Sequence, residues 1–120
     1  MTIIPAIDII NGKCVRLTKG DYAQQTVYNA NPVEVAKQFA DAGLERLHVV
    51  DLDGAKAGTI MNLAVLEKIA GSTKLLIDYG GGVKNITDVA NVLDAGASIV
   101  TIGSLAVKHP ELLEEWLMEF

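Results

Sequence analysis

The sequence is poor in cysteine, in positive charge and in long apolar runs, and each shortage excludes a class of protein. It has a single cysteine, Cys14, so neither an intramolecular disulfide nor a cysteine-based metal site is expected, which suits a reducing, cytoplasmic compartment. Ten basic residues against 15 acidic ones give a net charge of −5, which argues against nucleic acid as a partner. No apolar run reaches the roughly 18 to 20 residues that cross a bilayer, and no basic leader precedes the first strand, so we expect no membrane segment and no signal peptide.

Half of the residues are hydrophobic, which is enough for a folded core. The apolar residues concentrate in four short, β-branched runs that are nearly continuous rather than alternating. Such runs are typical of parallel strands that are covered on both faces. The predicted strands are Ile3–Ile10, Leu47–Leu52, Leu75–Ile77 and Ile99–Ile102.

A helical pattern follows each predicted strand. We expect helices that begin at Asn31-Pro32, Asn62, Asn85 and His109-Pro110, the first ending at Gly43 and the third at Gly96. This order predicts a parallel α/β fold with right-handed crossovers. A complete (β/α)8 barrel needs roughly 250 residues, so we interpret residues 1–120 as one (β/α)4 half barrel of four βα units.

The first strand carries an additional turn signal. Asn11-Gly12 is a typical two-residue hairpin turn, so a small hairpin should follow, and then a loop through Lys19–Ala30. Four units do not close a barrel, so we expect the first and fourth strands to present unpaired edges.

Asp8 lies late in the first strand, among isoleucines. A carboxylate is costly to bury there unless it has a partner or a task. One interpretation is a structural aspartate bonded to neighbouring backbone. The other is a general acid or base whose pKa is tuned by desolvation, since ligands bind at the carboxyl ends of parallel strands.

Asp51 and Asp53 follow the second strand, and alternation would point both to one side if the strand continued that far. Contact of Asp51 with a substrate and capping of a loop are comparable interpretations, whereas Asp53, beside Gly54, suits a structural role. His48 and His109 lack the spacing of metal ligands, so we expect no metal.

Glycines follow the third and fourth strands. Gly80-Gly81-Gly82 would let the backbone approach a ligand, and Gly103-Ser104 would open a short helical turn with free N–H groups. Two such loops on neighbouring strands favour a phosphate cradle over simple flexible turns. Lys84 could add a charge, although such a lysine is usually only solvated.

These segments, taken together and in order, resemble the amino-terminal half of the histidine-pathway isomerase family. The resemblance spans the whole chain, but only about half of a barrel of that kind. The segments that carry it are Ile4–Asp8, Gly12–Leu17, Gly20–Tyr22, His48–Ala55, Gly80–Gly82 and Ile102–Ser104.

The resemblance implies an Amadori rearrangement, in which an aminoaldose becomes an aminoketose without metal or organic cofactor. Asp8 matches the family's base, and the family's acid would lie beyond Phe120. The substrate would be a bis-phosphorylated aminoimidazole carboxamide ribotide. The near-half phosphate cradle corresponds to Gly81, Gly82, Gly103 and Ser104, and Arg16 matches a loop residue that contacts substrate.

Two positions depart from the family pattern. Lys84 stands where family members often have arginine, which would turn a bidentate contact into a point charge. Tyr79 before the glycines is also less usual. Ala6-Ile7-Asp8 favours the isomerase over the related imidazole glycerol phosphate synthase cyclase.

The chain alone leaves two hypotheses for its function. One is an isomerase fragment that is inactive until the carboxyl-terminal half, or a second copy of the chain, completes it. The other is a non-catalytic, self-associating half barrel that binds phosphate.

Overall fold

A computed structural model describes residues 4–18 and 20–102, together with the backbone of residues 105–107. In this part of the chain, a seven-stranded sheet has the order β3-β2-β1-β4-β5-β6-β7. The strands are β1 (Ala6–Ile10), β2 (Lys13–Thr18), β3 (Asp21–Asn29), β4 (Arg46–Asp51), β5 (Leu76–Gly80), β6 (Ile99–Ile102) and β7 (Leu105–Val107). The helices are α1 (Pro32–Asp41), α2 (Leu52–Ala57), α3 (Leu63–Ser72) and α4 (Ile86–Asp94).

The central strands β1, β4, β5 and β6 are parallel neighbours, and they are the four strands expected from the apolar runs. Helices connect them, as right-handed βα units require. The predicted parallel α/β fold class is therefore confirmed for the described residues.

Three of the expected helices begin where the sequence indicates. Asn31 caps α1 by accepting hydrogen bonds from the backbone N–H groups of Val33 and Glu34. Asn85 caps α4 in the same way, and Asn62 precedes α3. The fourth expected helix, from His109, lies outside the described residues.

The segment after the Asn11-Gly12 hairpin corrects the sequence-based expectation. Instead of a loop through residues 19–30, the chain forms the nine-residue strand β3, antiparallel to β2. Aromatic and β-branched residues in this segment favour an extended backbone. Because β2 pairs with β1, the expected open edge of the first strand is also wrong.

The other edge of the sheet is covered as well. β7 pairs antiparallel with β6, so residues 105–107 are extended and do not continue the expected helical turn. Pairing with β7 satisfies the backbone groups that an unpaired β6 would expose. Gly103 and Ser104, which were expected to form part of a phosphate cradle, lie outside the described residues.

The core lies between the helices and one face of the sheet. Alternate residues of the parallel strands are buried there, against apolar residues of α1, α3 and α4. The residues that the parallel strands give to this core are Ile7, Ile9, Leu47, Val49, Ile77, Tyr79 and Val100. The helices of the described chain therefore cover only one face, whereas the apolar runs predicted coverage of both.

We call the other side of β1, β4, β5 and β6 the open face. Its residues alternate with those of the core, and all except Ile10 and Gly80, which are buried, are half-buried or exposed. Polar residues on this face are Asp8, Arg46, His48, Asp78 and Thr101. In the part of the chain that the structure describes, no helix is both long and apolar enough to cross a membrane.

Candidate active site

Asp8 occupies the middle of β1 and is half-buried on the open face. It pairs laterally with Val50 of β4, which pairs with Gly80 of β5, which in turn pairs with Thr101 of β6. These residues form one row across the sheet, with neighbouring strands roughly 4.8 Å apart. Val50 and Gly80 separate Asp8 from Thr101 in this row, and Gly80 contributes no side chain.

The protonation of Asp8 depends on its position between core and solvent. Burial raises the pKa of Asp8, and the nearby imidazole of His48 partly opposes this effect. A raised pKa brings a carboxylate closer to the range in which it can both accept and return a proton near neutral pH. The position of Asp8 and its raised pKa favour a general base, and that role stays a prediction.

A second polar row lies next to that of Asp8. His48 Nδ1 is 3.0 Å from Asp78 Oδ2, and the Thr101 hydroxyl donates to Asp78 Oδ1 at 3.0 Å. The resulting network joins three parallel strands on the open face. None of these contacts was predicted from the sequence, although a polar residue within each otherwise apolar strand was a usable signal.

The pair is arranged so that both partners favour their charged forms. The hydrogen bond to Asp78 raises the pKa of His48, and this outweighs the effect of its burial. Burial pushes the pKa of Asp78 upward, but hydrogen bonding to His48 and Thr101 brings it below its ordinary value. Among the described residues, no group of three or more acidic, histidine or cysteine side chains is placed to hold a metal ion.

Asp51, at the end of β4, is fully buried and caps α2. The structure ends the strand at Asp51 and begins α2 at Leu52, so Asp51 and Asp53 do not alternate along one strand as expected. The Asp51 carboxylate accepts five hydrogen bonds from its own chain. The donors are the backbone N–H groups of Gly54, Met61 and Asn62, the Asn62 side-chain amide and the Tyr79 hydroxyl.

This arrangement favours the capping interpretation of Asp51. Both carboxylate oxygens are already engaged at distances of 2.6 to 2.8 Å. Direct contact of Asp51 with a substrate stays a prediction.

Asn62 connects Asp51 to the hairpin turn. Its side-chain amide donates to Asp51 Oδ1 at 2.6 Å and to Asp53 Oδ2 at 3.0 Å, and its Oδ1 accepts the Gly12 N–H at 3.1 Å. Asp53 Oδ2 also accepts the Asn11 N–H at 2.7 Å. Asp53 therefore has the structural role expected of it, because its carboxylate holds the β1–β2 turn in place.

The glycines after β5 lie against the chain itself. Gly81 and Gly82 have φ values of +109° and +83°, which disfavour other residues. A Cβ on Gly81 would overlap the Asp51 carbonyl, and one on Gly82 would lie 2.5 Å from the Thr59 carbonyl carbon. The glycine run thus has an intramolecular packing reason, and phosphate binding by it stays a prediction.

Two further residues considered for the site, Arg16 and Lys84, lie on β2 and between β5 and α4. Arg16 is exposed on β2, and its guanidinium carbon lies 5.0 Å from the centroid of the Tyr28 ring. The Lys84 ammonium lies close to Gly58, which ends α2. Neither residue contacts Asp8 in the hydrogen bonds and ion pairs found among the described residues.

Parallel βα units with an acidic residue on the open face place this chain among the parallel α/β proteins. Its sequence matches the family described as "Histidine biosynthesis protein" over residues 2–120. The chain belongs to this family, which confirms the resemblance inferred from its motifs.

Relatives within the family carry a more specific name. The chain is 59% identical over 118 residues to a protein of Cytophaga hutchinsonii named 1-(5-phosphoribosyl)-5-((5-phosphoribosylamino)methylideneamino) imidazole-4-carboxamide isomerase, covering 98% of this chain and 49% of that protein. Proteins with the same name from Parabacteroides distasonis and Flavobacterium psychrophilum are 57% and 55% identical, with 98% and 100% of this chain covered and 49% and 50% of theirs. The chain therefore spans about half the length of the curated relatives that it matches.

Proposed function

We propose that this chain is the amino-terminal half of a ribotide isomerase that interconverts an aldose and a ketose in histidine biosynthesis. The observation that carries the proposal is Asp8, a half-buried carboxylate with a raised pKa on the open face of the sheet. The relatives named as isomerases support the same reaction, and none of the three described above is named as the cyclase. A cytoplasmic location and the absence of a cofactor belong to the same proposal.

The chemistry assigned to Asp8 is a proton abstraction. In an Amadori rearrangement, the opened aminoaldose carries a protonated imine, and the base removes the proton from the adjacent carbon. The electron pair of that C–H bond forms a C=C bond, while the electrons of the C=N bond return to nitrogen. The resulting enaminol tautomerises to the aminoketose, so no external oxidant or reductant is needed.

The second carboxylate and the second phosphate site of this scheme would come from the complementary half of the barrel. In the present half, we assign one phosphate to the loop of Gly81 and Gly82 together with Gly103 and Ser104. Arg16 would contact the substrate from the hairpin. The Asp51 backbone packs against Gly81 while its carboxylate accepts the Gly54 and Met61 amides, and any direct substrate contact of Asp51 is secondary to these roles.

The test is turnover of the bis-phosphorylated ribotide by the longer protein that contains this chain. Asp8→Asn should lower kcat by about 10² to 10⁴, the usual contribution of a positioned general base. Asp41→Asn is the matched control, because Asp41 is an exposed carboxylate at the end of α1. Wild-type turnover by Asp8→Asn would refute the assignment.

The uncovered open face favours one second candidate, a half barrel that pairs with a copy of itself. The 120-residue chain should then be a dimer by light scattering, and it should bind inorganic phosphate without turning over the ribotide. Turnover by such a dimer would show that two copies supply a complete site. A chain that becomes active only when the complementary half is added would support the isomerase fragment instead.

A further inference from the structure

Tyr79 is a core residue whose hydroxyl reaches the hydrogen-bond network of Asp51, Asn62 and Asp53 at the carboxyl end of β4. The side chain is fully buried, and its hydroxyl donates to Asp51 Oδ2 at 2.7 Å. Burial raises the pKa of Tyr79, so the hydroxyl stays protonated and keeps its role as donor. A phenylalanine would fill the same apolar space, so packing alone does not explain the hydroxyl.

The network that Tyr79 enters joins two loops with different expected roles. On one side, the Asp51 backbone contacts Gly81, directly after β5. On the other, Asp51 binds the Asn62 side chain, which accepts the N–H of Gly12 in the hairpin turn. A continuous series of short contacts therefore leads from the glycine loop to the β1–β2 hairpin.

The Asn62 side chain bonds this network instead of capping α3. It stands at the cap position of α3, yet its side chain makes no capping bond there. Asparagine ordinarily stabilises a helix from this position by bonding a backbone N–H. The side chain of Asn62 instead bonds two carboxylates and the hairpin turn.

We propose that Tyr79 and Asn62 are positioning residues that act through Asp51, holding the glycine loop and the β1–β2 hairpin in one fixed arrangement for phosphate and substrate binding. This inference rests on the proposed function. It adds that the Tyr79 hydroxyl sets how well the substrate is bound, without taking part in proton transfer.

The first experiment is Tyr79→Phe in the longer protein that contains the chain. Losing a uniform binding interaction raises KM and leaves kcat unchanged. We expect KM for the ribotide to rise about tenfold, because a hydrogen bond to a carboxylate is among the stronger ones in proteins. The control is Thr73→Val, which removes a hydroxyl bonded to the Ile69 carbonyl at 3.0 Å, far from the glycine loop; its KM should stay at the wild-type value.

Hydrogen exchange provides a readout that needs no substrate. In Tyr79→Phe, the amides of Asn11 and Gly12 should exchange faster, although neither residue touches Tyr79 by any described hydrogen bond. The Val89 amide, which bonds the Asn85 carbonyl in α4, should be unchanged. Uniformly faster exchange that includes Val89 would mean simple loss of stability and would overturn the proposal.

The two proposals fail in different ways. A wild-type protein that neither binds nor converts the ribotide would refute the proposed function, while the exchange pattern would still decide the role of Tyr79. Normal turnover with an unchanged KM and unchanged exchange at Gly12 in Tyr79→Phe would refute the positioning role alone. Asn62→Ala should accelerate Gly12 exchange as well, and combining it with Tyr79→Phe should add less than the sum, because both act on one network.

Discussion

Replacing Asp51 by asparagine tests how much of the fold depends on one buried side chain. The carboxylate has five donors, two on Oδ1 and three on Oδ2. Asparagine keeps one oxygen, so its amide group must face at least the two donors of Oδ1, the Gly54 N–H and the Asn62 side-chain amide. Each buried donor left without an acceptor costs about 1 to 3 kcal/mol, so the loss is roughly 2 to 6 kcal/mol.

Asp53→Asn is the matched control for this change. Asp53 is only partly buried, and both of its described hydrogen bonds end on Oδ2. The single oxygen of asparagine can take that place, so we expect a loss below about 1 kcal/mol. The two variants therefore differ in how many donors the site holds, while the chemical change is the same.

The measurement is urea unfolding of each variant, with the midpoint and the slope fitted separately. A lower midpoint at an unchanged slope would report a loss of stability. Since a domain is stable by only about 5 to 15 kcal/mol, the expected loss for Asp51→Asn is a large part of the total. Equal losses for the two variants would refute the claim that Asp51 organises this edge of the sheet.

Two further predictions concern the glycine loop and the open face. Gly81→Ala should destabilise the protein by about 3 kcal/mol in the same assay, because Gly81 has a positive φ and an added Cβ would overlap Asp51. The control is Gly71→Ala, in α3 with open space around it, which should be neutral or stabilising by about 0.5 to 1 kcal/mol. The raised pKa of His48 implies stabilisation that is present below its ordinary value of 6.5 and is lost as the pH rises through the raised value. The unfolding free energy should therefore fall by less than about 1 kcal/mol above pH 6.5. Asp78→Asn should flatten this dependence on pH, and an unchanged dependence in that variant would contradict the pairing of His48 with Asp78.

The sequence was most informative where local chemistry decides the structure. Asn31 and Asn85 begin helices because their side chains satisfy backbone N–H groups that lie only two or three residues away. The apolar runs identified the parallel strands for a similar reason, since each run is a continuous local pattern. The order of elements and the fold class followed from these signals.

The errors arose where distant residues decide. The extended conformation of β3 depends on pairing with β2. Continuous apolar runs also predicted strands covered on both faces, because the pattern does not reveal which segment covers each face. The role of the glycines after β5 was ambiguous in the same way: Gly81 packs against Asp51, a contact across thirty positions of sequence.

The antiparallel strands at the two edges of the sheet have a consequence for any larger assembly. β7 occupies the hydrogen-bonding edge of β6, and β2 occupies that of β1 over three residue pairs. A further parallel strand can join β6 only if β7 gives up its place, so completing a barrel would be an exchange of one partner for another rather than a simple addition. The same hydrogen-bonding groups of β6 therefore cannot serve β7 and a further barrel strand at once.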